Sequence, residues 1–132
     1  MPTTLADLIN RDKNVVFRAL EDAQREDIQT VEGKPIPGAK DLLIMKPLLV
    51  TENVVVLHSI RKKGMKDPQH QHDDHDTVCT LVSGRMRVHV GDETFEAHSG
   101  ATWRHKPGVK HYSETLEDSV VLEIKTPPAK TW

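Results

Sequence analysis

Between Lys62 and Thr77 the chain reads KKGMKDPQHQHDDHDT, and the seven positions from His70 to Asp76 hold three histidines and three aspartates. Imidazole and carboxylate are the side chains that bind transition metals and move protons near neutral pH. His70 and His72 stand two apart. In an extended segment that spacing puts both side chains on one face, so both rings can reach one ion. A mononuclear site needs at least one more ligand from another segment, and His111, after KPGVK, is the obvious candidate. Neutral imidazoles suit zinc, copper, iron and nickel, and an added carboxylate moves the preference toward manganese or iron. A surface loop explains a solitary His-x-His equally well, so the decision rests on the surrounding spacing.

The elements around these residues read as short strands. DLLIM, NVVVLHSI, TVCTLV, RMRVHV, TFEA, ATWRH and SVVLEIK are apolar and β-branched. Turn signals separate them, including KPLLVTE, Ser83-Gly84, KPGVK and TLEDS. Strands so closely spaced, without intervening helices, predict an antiparallel sandwich or barrel. Ser83-Gly84 predicts a tight hairpin between TVCTLV and RMRVHV. Alternation places Thr77, Cys79 and Leu81 on one face and Val78, Thr80 and Val82 on the other. Extended upstream, the face of Thr77 includes His75, and Asp76 points away. Arg85, Arg87 and Arg104 alternate with Met86, Val88 and Trp103. An inward arginine face anchors a carboxylate, whereas an outward one is ordinary solvated surface.

With 132 residues the chain is expected to form one domain with its own core. A net charge of −2 leaves no basic face for nucleic acid. The N-terminus carries early acidic residues and no long apolar run, so neither a signal peptide nor a membrane span is expected. The single cysteine, Cys79, cannot close an internal disulfide, which fits a reducing cytoplasm. Leu5, Leu8, Ile9, Leu20 and Ala23 recur at helical spacing, and EDAQRED supplies a polar face. Residues 1–38 are therefore expected to be an extension with one or two short helices, ending at the EGKPIPGA break, and residues 39–132 a β-barrel domain.

The spacing of the glycines and histidines resembles the cupin superfamily. Its first motif runs glycine, five residues, His-x-His, three or four residues, glutamate, six residues, glycine. Gly64, His70, His72, Thr77 and Gly84 fit that spacing, with threonine in the glutamate position. The second motif corresponds to Gly100, Pro107, Gly108 and His111, with Lys106 where proline is usual and Thr115 where asparagine often stands. The resemblance implies a double-stranded β-helix, the jelly-roll barrel of small single-domain cupins. It also implies that His70, His72 and His111 bind one divalent transition metal per chain: iron, zinc, nickel or manganese.

The threonine leaves the fourth coordination position open to three outcomes. Water fills it, or His75 swings in, or a bulge brings in Asp76. On the first of these, Thr77→Glu is expected to raise affinity for manganese or iron relative to zinc. A three-histidine centre keeps its dipositive charge unquenched and is a good Lewis acid for a chelating keto or hydroxy acid, diketone or enol. His75, Asp76 and Tyr112 are the candidate catalytic proton carriers. His105 is either a cavity acid–base group or a hydrogen-bonded structural histidine. The expected function is that of a mononuclear-metal enzyme on a small oxygen-rich metabolite. It would be a dioxygenase with iron, or an isomerase or lyase acting through a chelated enolate. The alternative is a non-catalytic cupin that binds or senses a small ligand. A homodimer is expected, because Leu5, Leu8, Ile9, Val15, Val16 and Phe17 give the extension more apolar surface than a small barrel needs to cover.

Overall fold

The computed structural model describes residues 3–132. Helix α1 (Leu5–Asp12) begins at a capping box. Thr4 Oγ1 accepts from the Asp7 amide and the Asp7 carboxylate accepts from the Thr4 amide, both at 3.0 Å. The helix buries Leu8 and ends on Asp12, whose buried carboxylate accepts from the Val50 amide at 2.8 Å and pairs with Arg11 and Arg18. The second expected helix is only a single 3-10 turn at Leu20–Asp22. The rest of EDAQRED is irregular apart from an isolated β-bridge from Glu26 to Met45. Strands β1 (Thr30–Val31) and β2 (Lys34–Pro35) form a small hairpin whose two turn residues, Glu32 and Gly33, have φ of 49° and 75°. Positive φ at both positions is what a type I′ turn requires, and it is unusual for a glutamate.

A short helix α2 (Ala39–Leu42) leads into β3 (Leu43–Val50), β4 (Val55–Arg61), β5 (Asp76–Val90), β6 (Glu93–His98), β7 (Thr102–His105) and β8 (His111–Thr126). The strands pair antiparallel in the order β3-β4-β8-β5-β6, and β7 also pairs with β5. The hairpin expected at Ser83-Gly84 does not form. TVCTLV and RMRVHV are two halves of one bent strand. The first half lies between β7 and the end of β8, and the second between β6 and the beginning of β8. Ser-Gly between two apolar runs reads locally as a turn, but the register shifts between Leu81 and Met86 make it a corner. Gly84 takes φ of 103° there, and a Cβ would collide with Ser119 Oγ and lie 2.5 Å from the Asp118 carbonyl oxygen.

Two other expected turns are also strand. KPLLV belongs to β3, where Pro47 is tolerated because β3 is an edge strand with a register shift beside the proline. TLED lies within β8, whose sixteen residues are long enough to follow both halves of β5. The facing is as the alternation predicts. Thr77, Cys79 and Leu81 are buried, while Val78 and Val82 are 36% and 49% exposed. Arg85 and Arg104 face outward, Arg85 to Glu96 and Glu117 and Arg104 to Asp76.

Two apolar clusters hold the barrel. One joins Leu8, Ile28 and Ile36 from the N-terminal segment to Met45, Leu57 and Met65. The other contains Leu81, Met86, Val88, Trp103 and Val121. Among the described residues no helix is long and apolar enough to cross a membrane.

Candidate metal centre

The two histidine segments are joined through their backbones. The His70 amide donates to the His111 carbonyl at 3.0 Å and the His111 amide to the His70 carbonyl at 2.8 Å. The Gly108 amide donates to the His72 carbonyl at 2.7 Å, which fixes the loop before β8 to the His-x-His segment. All three imidazoles are buried, at 6% exposure or less.

Each ring is oriented by its Nδ1. His70 Nδ1 donates to the Pro68 carbonyl at 2.7 Å, His111 Nδ1 to the Val109 carbonyl at 3.0 Å, and His72 Nδ1 to Glu32 Oε1 at 2.9 Å. Oxygen acceptors hold the proton on Nδ1 and leave each Nε2 with a free lone pair. The carboxylate on His72 comes from the strained β1–β2 turn, so the unusual φ of Glu32 accompanies a specific contact. Ring centroids are 4.3 to 5.1 Å apart, and one ligand atom from each histidine lies within 4.8 Å of the others. His111 Nε2 is buried with no hydrogen-bond partner, an orphan that a metal ion would satisfy. Burial, followed by the nearby Lys125 charge, pushes His72 down to about 2, and burial pushes His111 down to about 4. Both rings are neutral at physiological pH, as metal ligation requires. The donor set fits one divalent ion.

The fourth position differs in kind. Thr77 points inward, and Lys125 Nζ donates to its hydroxyl at 3.1 Å. The cross-strand register sets His105, Thr77 and Lys125 in one row on β7, β5 and β8, with Trp103, Cys79 and Glu123 in the next inward row. Glu123 accepts from Arg61 at 3.0 Å, Arg61 also donates to Asp67 at 3.1 Å, and Ser113 Oγ donates to Asp67 at 2.8 Å. Burial acts to raise the Glu123 pKa, but the Lys125 and Arg61 charges hold it down at about 2. Burial pushes the Cys79 thiol up, which keeps it unreactive. The histidines and these charged groups line one cavity of about 60 Å³, whose other side is lined by apolar residues that include Met45, Leu57 and Trp132. That volume has room for a few waters or one small ligand.

The proton-carrier candidates separate. His75 is buried, its Nδ1 donates to Asp74 Oδ1 at 2.7 Å, and its ring centroid is 4.5 Å from that of His72. Its Nε2 is buried without a partner, although it stands outside the three-histidine cluster. Asp76 faces outward in a bidentate pair with Arg104, at 2.7 and 2.8 Å. Tyr112 stacks on His89 with centroids 4.1 Å apart, beneath Lys66 Nζ. His75 lies off the lining of the histidine cavity, and so do Asp76 and Tyr112, the latter lining a smaller adjoining pocket with His105 and His111. For Asp76 and Tyr112 the reason is strand alternation, since each neighbours an inward residue, Thr77 or His111. His105 does line the cavity. It accepts from Trp103 Nε1 at 3.1 Å and stacks on His111 at 3.7 Å, so it supports a candidate ligand from behind.

Glu32, Arg61, Asp67, Glu123 and Lys125 escape the sequence reading. SVVLEIK carries a usable signal, because Glu123 and Lys125 fall at alternate positions with Val121, the buried face of an otherwise apolar strand. Glu32 has no comparable signal, because a hairpin in the N-terminal segment delivers it from forty residues away.

Comparison with known proteins agrees with this geometry. The Cupin domain family model matches residues 56–124. No curated protein matches the sequence. Among solved structures, KdgF from Halomonas sp. aligns with a TM-score of 0.73 at 21% identity, over 86% of this chain and 95% of that one. An RmlC-like cupin from Shewanella frigidimarina gives a TM-score of 0.73 at 19% identity, over 87% and 93% of the two chains. A predicted oxalate decarboxylase from Thermotoga maritima gives 0.70 at 15% identity, over 84% and 98%. At these identities the likeness is one of fold. With the family match spanning more than half of its length, and with the barrel and histidine spacing in place, this chain belongs to the cupin family.

Proposed function

We propose that the protein binds one divalent transition metal through His70, His72 and His111 and acts as an enzyme on a small oxygen-rich metabolite. One observation carries this reading: three buried imidazoles, each tied through Nδ1 to an oxygen, bring their remaining donor atoms together. When bound, the ion supplies a Lewis acid for an oxygen chelate and, as iron, a site for oxygen chemistry. The chain supplies the rest. Leu57, Met45 and Trp132 give the cavity an apolar side. His75 holds or accepts a proton at Nε2, with Asp74 fixing its tautomer through Nδ1. With Asp76 paired to Arg104 and Tyr112 stacked on His89, the buried, unpartnered Nε2 of His75 supports it as the proton carrier. The reaction is either a dioxygenase cleavage or an isomerase or lyase step through an enolate. Elemental analysis of untagged protein tests the reading, with oxygen uptake and substrate depletion followed over a series of keto and hydroxy acids. About one metal per chain with turnover supports it.

A second reading, a cupin that binds or senses a ligand without turnover, is favoured by one observation. Thr77 stands at the motif position of the family's carboxylate, and Lys125 donates to its hydroxyl. Stoichiometric metal and ligand binding with no turnover across the series would select it.

In either reading residues 39–132 are taken as the barrel unit and residues 1–38 as an extension, whose described part packs Leu8, Ile28 and Ile36 against Met45, Leu57 and Met65 and orients His72 through Glu32. The unpaired, buried Cys79 supports a reducing, cytoplasmic setting. The extension leaves Val16 and Phe17 94% and 81% exposed, which supports a homodimer that covers them. Sedimentation at tens of micromolar checks this, with a dimer expected from the native chain and a monomer from Phe17→Glu.

A further inference from the structure

Lys125 is a cavity residue that neither the barrel nor the three-histidine set explains. Its side chain is 2% exposed. An ammonium has three N–H donors. Among the described residues, Thr77 Oγ1 at 3.1 Å is its one hydrogen-bond acceptor. Glu123 Oε2 lies 3.8 Å away, close enough for attraction but too far for a hydrogen bond. The other cation of the cavity shows the contrast, since Arg61 is clamped between Asp67 at 3.1 Å and Glu123 at 3.0 Å. A buried ammonium with spare donors is costly, and an apolar side chain of the same length would serve the barrel better.

The charges around the cavity point the same way. Arg61 and Lys125 are balanced by Asp67 and Glu123, and the candidate ligand histidines bring only the single negative charge of Glu32, behind His72. A dipositive ion held there would therefore leave the cavity with a surplus of positive charge, so an anionic ligand completes it. Thr77 fixes the ammonium in the row where the family's carboxylate would stand. The site thus offers a cation at a place where a protein anion would otherwise sit.

We propose that Lys125 is the carboxylate anchor of the site and that its ligands are small 2-oxo or 2-hydroxy carboxylates rather than neutral diketones or catechols. This rests on the metal-binding reading above. The carboxylate and its neighbouring oxygen face the ion, and a remaining carboxylate oxygen accepts from Lys125 Nζ. A cavity of about 60 Å³ limits the ligand to a short chain.

The test uses the full chain loaded with Co²⁺, whose visible absorption reports ligand exchange. Pyruvate is titrated against pyruvamide, which has nearly the same shape and no charge. Wild-type protein is expected to prefer pyruvate. Lys125→Met is expected to weaken pyruvate about tenfold, as for one hydrogen bond to a charged group, and to leave pyruvamide within about twofold. Equal losses for both ligands, or no loss for either, overturn the assignment. The wild-type comparison needs no variant, so an absent preference for pyruvate overturns it even if Lys125→Met misfolds. Failure of wild-type protein to bind Co²⁺ overturns the metal reading and this proposal with it. Co²⁺ binding without a carboxylate preference removes the Lys125 assignment alone.

Discussion

The two walls of the cavity are built on opposite rules. On one, His70, His72 and His111 commit their Nδ1 protons to oxygens, and their other nitrogens are left to face one another. On the other, Arg61, Asp67 and Glu123 are charged and consume one another's hydrogen bonds, with Lys125 only partly engaged. The first wall withholds its donors from the protein, and the second spends most of them on it. On the proposed function, a ligand would be recruited by the histidines and by Lys125, with the Arg61 cluster as a support.

Breaking the histidine wall should give the largest functional effect. In His70→Ala/His72→Ala the metal content should fall from about one per chain to background by elemental analysis. Thermal unfolding should change far less than metal content, because neither imidazole belongs to an apolar cluster that holds the barrel. Breaking the charged wall should give the opposite result. Arg61→Met leaves Glu123 and Asp67 buried without their shared partner, and chemical denaturation should show a loss of about 3–5 kcal/mol.

Acid should act on both walls in sequence. His72 and His105 are pushed down to about 2 and His111 to about 4, while an unfolded histidine titrates near 6.5. Their contribution to stability is complete above pH 6.5. It is lost as pH falls, because only the unfolded chain takes up those protons, by about 1.4 kcal/mol per pH unit for each group. Glu123, held at about 2, adds a loss in the same direction only below its ordinary carboxylate range near 4.5. Melting temperatures of the metal-free protein should therefore begin to fall near pH 6.5 and fall more steeply below about 4.5. A curve flat from pH 7 to 5 would contradict neutral burial of the histidines.

Smaller changes sharpen the contrast. Glu32→Gln keeps the shape but removes the charge that orients His72, and isothermal titration should show metal affinity weakened about tenfold. Thr77→Glu, expected from the sequence to raise manganese and iron affinity, would put its carboxylate beside Lys125. The resulting pair should cancel most of that gain, so competition titration should show little change. The double variant Thr77→Glu/Lys125→Met should recover the gain.

These two walls were unequally legible in the sequence. The histidines declare themselves because ligand spacing is local: His70 and His72 lie on one segment, and His111 follows a Pro-Gly turn at a fixed distance. The inward face of Thr77 was legible because alternation holds along any strand, even though the hairpin invoked beside it proved to be a bend at Gly84. The charged wall was not legible in the same way, because it depends on which strands become neighbours. Arg61, Glu123 and Lys125 converge only once β4 and β5 pair on either side of β8. Glu32 depends on a hairpin that folds over the site from the N-terminal segment, a contact no local pattern encodes.

X-ray absorption at the metal edge of zinc-loaded protein tests the central claim most directly, because it counts imidazoles. Three imidazole nitrogens are expected at about 2.0–2.1 Å, with the remaining ligands oxygen. A fit with no more than one imidazole would contradict the three-histidine site, and a fourth imidazole would make His75 a ligand rather than a proton carrier.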